Sequence, residues 1–286
     1  MKTMTLNIRG RLLDLSTPKV MGIVNVTPDS FYASGRTPDT EAVERRILQL
    51  RDEGADIIDI GGCSTRPGAE DVTTEEEYSR LSVALEVIHH LWQEVPVSVD
   101  TYRAEVARRC VEEWGVDIIN DVAGGTLDPE MWKTVAELRV AYVLMHMRGT
   151  PATMQTFTDY TDVTAKVITD LSRKVFELHG LGVNDIIIDP GFGFAKTVEQ
   201  NFILLEELDE FCKMGMPVLA GFSRKSMIWR SLGITPEESL EGTVALNAIA
   251  LQKGASLLRV HDVKAAKEVV KLHMCMEKAR KAIREL

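Results

Sequence analysis

The chain has 286 residues, 43 of them acidic and 33 basic, for a net charge of −10 near neutral pH. That balance excludes a general nucleic-acid or anionic-membrane surface, so an anionic ligand needs a local basic pocket. No apolar run approaches the ~20 residues of a membrane helix, and four scattered cysteines without CxxC or Cys/His spacing point to reduced thiols in a cytoplasmic protein rather than disulfides or a zinc site.

Thr5–Ile8 and Arg11–Leu15 flank Arg9-Gly10 and read as a hairpin. Eight apolar runs then end in polar or glycine-rich tips: Val20–Val26, Ile57–Ile60, Val97–Val99, Ile118–Ile119, Ala141–Met145, Ile186–Ile188, Pro217–Ala220 and Leu257–Val260. Segments with helical spacing separate them. Eight strand-then-helix units predict an α/β fold, a (β/α)8 TIM barrel with an N-terminal β-hairpin, in one domain spanning 1–286.

The first barrel helix is expected from Thr40 to Glu53 and the second from Thr73 or Thr74, with Glu75, Glu76 and Glu77 in its first turn. The sixth is expected over Thr197 to Phe211, and the seventh from Thr235-Pro236-Glu237, with proline at the first helical position. Gly54-Ala-Asp56 and Gly115-Val-Asp117 sit between a helix and the next strand. Asp56, Asp117 and Asp185 therefore belong to the N-terminal rim as structural caps.

The opposite rim carries the chemistry. In Asp185-Ile-Ile-Ile-Asp-Pro-Gly-Phe-Gly-Phe194, Pro190-Gly191 stops a buried strand and leaves Asp189 at its tip. Collecting such tips gives Asn25, Thr65, Arg66, Asp100, Asn120, Asp189, Lys225, Arg259 and His261. Arg66, Arg259 and His261 suit an anion such as phosphate or pyrophosphate, and Asn25 can add an oxygen ligand to a magnesium ion riding on it. Asp100, Asn120, Asp189 and Lys225 suit a planar heterocycle, whose amidine-like edge pairs with a carboxylate in two parallel hydrogen bonds.

These stretches carry a resemblance. Met21-Gly-Ile-Val-Asn-Val-Thr-Pro-Asp-Ser-Phe31, Gly61-Gly-Cys-Ser-Thr-Arg-Pro-Gly68, Ser98-Val-Asp-Thr101, Ile119-Asn-Asp121, Val143-Leu-Met-His-Met147, Asp189-Pro-Gly-Phe-Gly-Phe194, Ser223-Arg-Lys-Ser226 and Arg259-Val-His261 closely resemble the dihydropteroate synthase family. The match runs in order over nearly the whole barrel. It implies an enzyme joining 6-hydroxymethyl-7,8-dihydropterin pyrophosphate to 4-aminobenzoate. By this resemblance Asp100, Asn120, Asp189 and Lys225 hold the pterin, with Met145 against the ring. Thr65, Arg66, Arg259 and His261 take the pyrophosphate, with Asn25 on Mg2+, and Val260 is a further substrate-binding residue. Phe31, Pro67, Phe194 and Ser226 frame the aminobenzoate. Lys225, Asp100, Arg259 and His261 are the expected catalytic residues.

Two departures stand out. The first loop continues as Tyr32-Ala33-Ser34-Gly35, without the family's usual aspartate, and Cys63 stands where a glutamate is frequent. The pterin pocket alone also suits a pterin-binding methyltransferase barrel or a barrel that binds pterin without chemistry, and Lys225 alone suits a Schiff-base aldolase. The anion-binding tips favour the synthase, because a methyl donor has no pyrophosphate to bind. The family commonly forms homodimers, and Val244, Leu246, Ile249, Leu251, Val269 and Leu272 on the seventh and eighth helices suggest that side as the interface.

Overall fold

The computed structural model describes residues 4–27, 39–63 and 72–284. A short antiparallel hairpin comes first, β1 (Thr5–Ile8) and β2 (Arg11–Asp14). Its two turn residues, Arg9 and Gly10, both have positive φ (51° and 78°), the geometry that matches the right-handed strand twist in a two-residue hairpin. Eight parallel strands follow: β3 (Lys19–Asn25), β4 (Ile57–Gly61), β5 (Val97–Asp100), β6 (Ile118–Asp121), β7 (Ala141–Met145), β8 (Ile186–Asp189), β9 (Leu219–Ala220) and β10 (Leu257–Val260). Their order, β8-β7-β6-β5-β4-β3-β10-β9, needs only one more join to become a ring. A single parallel bridge between Ile188 and Val218 supplies it, with the Ile188 N–H donating to the Pro217 carbonyl at 2.8 Å.

The helices wrap this ring: α1 (Thr40–Asp52), α2 (Thr74–Leu91), α3 (Ala104–Trp114), α4 (Met131–Leu138), α5 (Val163–Gly180), α6 (Val198–Glu206), α7 (Leu208–Cys212), α8 (Ser226–Leu232), α9 (Leu240–Gln252) and α10 (Val263–Arg284). Among the described residues no helix is long and apolar enough to cross a membrane.

Side-chain alternation divides every strand between two cores. Val20, Val24, Ile58, Ile60, Val97, Val99, Ile119, Tyr142, Leu144, Ile186, Ile188, Leu258 and Val260 face outward into the helices. Met21, Ile57, Ile118, Ala141, Val143, Ile187, Leu219 and Leu257 face inward and fill the barrel's lower half. Leu6, Ile8 and Leu15 of the hairpin join the inner cluster from below. The Asn7 N–H donates to Asp185 Oδ1 at 2.7 Å, so the hairpin is tied to the rim it covers.

The lower rim behaves as its sequence suggests. Asp56 Oδ2 accepts from the Val20 N–H at 2.8 Å and Asp117 Oδ2 from the Val97 N–H at 2.9 Å. Gly54 and Gly115, at φ 82° and 68°, make the left-handed turns before them.

Two expectations are corrected. The seventh barrel helix starts at Leu240, not at Thr235. Pro236 opens a turn instead: its carbonyl accepts from the Ser239 N–H at 3.3 Å and from the Ser239 hydroxyl at 2.6 Å. The proline signal was real but belonged to a turn. Before it lies α8, for which the sequence carried no expectation; Met227 and Ile228 bury its inner face and Gly233, at φ 68°, ends it. The expected sixth helix is broken at Glu207 into α6 and α7.

Candidate active site at the strand tips

On four strands the inward-facing apolar plug gives way, two residues further along, to a polar group. Ile57 is followed by Asp59, Ile118 by Asn120, Ile187 by Asp189 and Leu257 by Arg259. Strand register sets Asp100 beside Asn120 and Met145 beside Asp189. The same period-two alternation therefore builds the plug and the floor of a site on top of it.

Arg259 is the hub of that floor. Its Nε donates to Asp59 Oδ2 and its Nη2 to Asp100 Oδ2, each at 2.6 Å, and Asn120 Nδ2 donates to the same Asp59 oxygen at 3.2 Å. Burial works against the guanidinium charge, but Asp59 and Asp100 outweigh it and raise the Arg259 pKa. Asp100 is raised by burial, with Arg259 opposing. Asp189 is likewise raised by burial and held down by nearby Lys225, while burial lowers Lys225 to about 8.

Glycine leaves the centre open. A side chain at Gly221 would meet Asp189 Oδ2 and the Arg259 Cβ, both at 3.8 Å. One at Gly61 would meet Asn25 Oδ1 at 3.5 Å and the Asp100 Cβ at 3.7 Å. The space between the carboxylates, the amides and Arg259 is thus bounded by backbone where other residues would fill it.

One wall is the loop after β8. Asp189 Oδ1 accepts from the Gly191 N–H at 2.7 Å, and Lys225 Nζ donates to the Phe192 carbonyl at 2.6 Å. The Phe194 ring lies 4.8 Å from Lys225 Nζ, within cation–π range. Met145 is buried with Val122, Ala123, Met147, Met154 and Ala195, and half-buried Phe194 packs on this group.

A neighbouring wall, one strand beyond β9, is the tip of β10. Ser223 Oγ accepts from the His261 backbone N–H at 3.2 Å and lies 3.1 Å from His261 Nδ1. Arg46 of α1 donates to the carbonyls of His261 (2.6 Å) and Ile23 (3.2 Å), and Arg224 forks onto both oxygens of Asp262 at 3.0 and 2.7 Å. Burial, helped by Arg259 and Arg224, lowers the His261 pKa to about 4.

Asn25, Asp100, Asn120, Met145, Asp189, Phe194, Lys225, Ser226, Arg259 and His261 are thus all at the same rim. Val260 is the exception: its side chain is buried in the outer core, because the residue after an inward arginine must face outward. Only its backbone remains for a ligand. Phe31, Thr65, Arg66 and Pro67, and the departure at Ala33, lie outside the described residues.

Sequence reasoning missed Asp59 and Lys196. Asp59 sits inside a strand, one pair below the tip, and a search of tips passes over it. Its signal was a carboxylate inside the run Ile57-Ile-Asp-Ile60, fully buried, with the parity of Ile57. Lys196 lies past the loop, where a lysine reads as surface; it is in fact buried.

An open groove of about 710 Å³ lies elsewhere, between α1 and α10, with Gln49, Glu53, Lys264 and Lys267 in its lining. It is open to solvent, and one of its lysines, Lys267, is already paired with Asp56 at 2.8 Å. The chemistry is at the strand tips.

Residues 21–261 match the family model described as "Pterin binding enzyme". The chain is 43% identical to the dihydropteroate synthase of Escherichia coli over 274 residues, 94% of this chain and 95% of that one. Its fold superposes with a TM-score of 0.86 on Xanthomonas albilineans dihydropteroate synthase with 4-aminobenzoic acid, at 42% identity over 96% of this chain and 99% of the other. The same enzyme in complex with 7,8-dihydropteroate gives 0.84 at 40% identity, over 96% and 98% of the two chains. A barrel with this floor, matched over this length, belongs to the dihydropteroate synthase family of pterin-binding enzymes.

Proposed function

We propose that this protein joins the methylene carbon of 6-hydroxymethyl-7,8-dihydropterin pyrophosphate to the amino group of 4-aminobenzoate. The carbon–oxygen bond to pyrophosphate breaks, a carbon–nitrogen bond forms, and the arylamine loses a proton. The observation that carries this reading is the floor itself: Asp100, Asn120 and Asp189 converge with Lys225 and Arg259 around space left by Gly61 and Gly221. Such a floor offers a heterocycle acceptors, donors and a cation at once.

Each group has a part. Asp189 and Asn120 hold the pterin edge. Asp100, pinned by Arg259, stands where positive charge develops on the methylene as the leaving group departs. Arg259 and His261 face the departing anion with pre-placed donors, an arrangement that commonly supplies several kcal/mol. Phe194 and Ser226 bound the aminobenzoate. The amine is already a nucleophile at neutral pH, so no strong base is required.

Among the described residues no three acidic, histidine or cysteine side chains gather into a metal site. Asn25 offers one amide oxygen beside Gly61. That donor set fits magnesium carried by a pyrophosphate, which needs only one or two protein oxygens. A magnesium ion held there supplies charge neutralisation to the leaving pyrophosphate.

Pyrophosphate release decides the main reading. It is expected to require both the pterin substrate and 4-aminobenzoate. Tight pterin binding without release would instead mark a barrel that binds and does no chemistry. His261 gives a second test. Neutral above about pH 4 in the empty site, it should gain a proton when an anion binds beside it, because an adjacent negative charge favours imidazolium. Pyrophosphate affinity should then rise as pH falls from about 7.5 to 6. Calorimetry at about pH 6 in two buffers of different ionisation enthalpy should show proton uptake, reduced in His261→Gln.

The protein acts as a homodimer in the cytoplasm. Leu272, Met276 and Ile283 on α10 and Ile249 on α9 are exposed apolar side chains on one side of the barrel. Of the six residues expected there, Leu251 and Val269 are buried against the barrel and leave the surface to the others. Light scattering at micromolar concentration should give twice the chain mass, and a monomer mass would count against this interface. No disulfide forms among the described residues, which suits a reducing compartment.

A further inference from the structure

Behind the loop after β8 lies a buried lysine that the proposed chemistry does not use. Lys196 is 3% exposed. Its Nζ donates to the Gly191 carbonyl at 3.0 Å and the Phe194 carbonyl at 2.9 Å, and lies 3.1 Å from His146 Nδ1. Three acceptors match the three N–H bonds of an ammonium.

The surroundings fit that arrangement. Burial drives the His146 pKa down to about 2, so the ring is neutral and its Nδ1 is free to accept. The ring's other nitrogen then carries the proton and faces Asp170 Oδ2 at 3.5 Å. Burial also lowers Lys196, to about 7, with Asp189 opposing. Carbonyls normally point away from one another; here two of the same short loop converge on one cation. The loop can do this because Gly191 and Gly193 take φ of 74° and 83° and Ala195 takes 51°. At Gly191 a side chain would meet the His146 carbonyl at 2.0 Å.

The carbonyls that Lys196 gathers alternate with groups that face the site. Between Gly191 and Phe194 lies Phe192, whose carbonyl receives Lys225 Nζ at 2.6 Å. The Phe194 ring stands over the same Nζ. On the loop's outer side is a cavity of about 330 Å³ whose lining includes Gly193, Lys196, Ser226 and Arg230. Lys196 therefore sits between the wall of the pterin floor and the region proposed for the aminobenzoate.

We propose that Lys196 is a positioning residue: its ammonium draws the 191–194 loop into the one shape that places the Phe194 ring and orients Lys225. The inference rests on the synthase reading for its kinetic part only. Without the clamp the loop samples other shapes, and the aminobenzoate side, built on Phe194, suffers first. Lys225 retains a second anchor in the start of α8, so the pterin side suffers less.

The test is Lys196→Met, which keeps the stem and removes the charge. The KM for 4-aminobenzoate should rise about tenfold or more, as expected for losing hydrogen bonds to a buried charged group. kcat at saturation and the KM for the pterin substrate should change less than about threefold. A role in folding alone would lower the amount of active enzyme and leave both KM values unchanged, and that result would overturn the proposal. Lys196→Gln, which can still reach one carbonyl, should give a smaller rise; failure of both variants to fold would also overturn it, since the effect would then be on the barrel. Hydrogen exchange of the 191–194 amides gives a readout without turnover. It should be faster in the folded variant than in the wild type, and equal rates would refute the clamp. Wild-type turnover measured alongside tests the synthase reading by itself, so the two failures are distinguishable.

Discussion

Replacing Asp189 by asparagine is expected to weaken pterin binding by about 2–5 kcal/mol, the usual penalty for breaking a buried, hydrogen-bonded charge pair. The substitution is nearly isosteric, and that makes it informative. Asp189 Oδ1 accepts from the Gly191 N–H, and an asparagine carbonyl can keep that bond. The other oxygen borders the space left by Gly221. There an amide N–H2 would confront the donors of the pterin edge in place of an acceptor. The charge that balances Lys225 disappears as well. Folding stability should change little beside the binding loss, because burial already raises the Asp189 pKa and the neutral amide removes that desolvation cost. Calorimetric titration with the pterin decides it, and unchanged affinity would remove Asp189 from the pocket.

Arg259→Met is expected to destabilise the fold by roughly 3–5 kcal/mol, the cost of removing one partner from a buried ion network. Two carboxylates, Asp59 and Asp100, then share the barrel's interior without a cation. The loss should depend on pH in a defined direction. Without Arg259, the charge that opposes the effect of burial on Asp100 is gone, so the folded-state pKa of Asp100 is raised further. A raised carboxylate pKa gives stability that is present below the unfolded value and lost as pH rises through the folded one. The variant should therefore lose more stability relative to wild type at about pH 8 than at about pH 5. Urea unfolding at both pH values measures this, and an equal loss at both would mean that packing, not uncompensated charge, is responsible. Adding Asp59→Asn and Asp100→Asn to Arg259→Met should restore part of the stability.

The barrel was legible because its grammar is local. Each buried strand is an apolar run closed by a turn former, as in Ile186–Asp189 before Pro190-Gly191, and those residues act within a few positions of one another. Capping aspartates such as Asp117 were legible for the same reason. What stayed hidden depends on partners distant in sequence. Asp59 became part of the site only when register placed it against Arg259, 200 positions away. Lys196 became a buried clamp only through His146, 50 positions back. Pro236 carries the same local signal at the start of a helix and in a turn, and tertiary packing chose the turn. The exposed side of α10 could not be separated from its buried side by counting apolar residues, since Val269 and Leu272 differ only in which way the helix is rotated.

The hairpin beneath the barrel has a consequence for traffic. With Leu6, Ile8 and Leu15 wedged under the inner cluster, the enzyme is a blind well: everything enters and leaves through one mouth. Depth then sets the queue. In the proposed binding mode a pterin on the floor at Asn120 and Asp189 would lie below an aminobenzoate at Phe194 and Ser226, so an aminobenzoate that arrived first would stand in the doorway of its own partner. In that mode the product, spanning both levels, would withdraw lengthwise with its aminobenzoate end foremost, and order of arrival and departure would follow from the stopper at the far end of the molecule as much as from the affinities at the top.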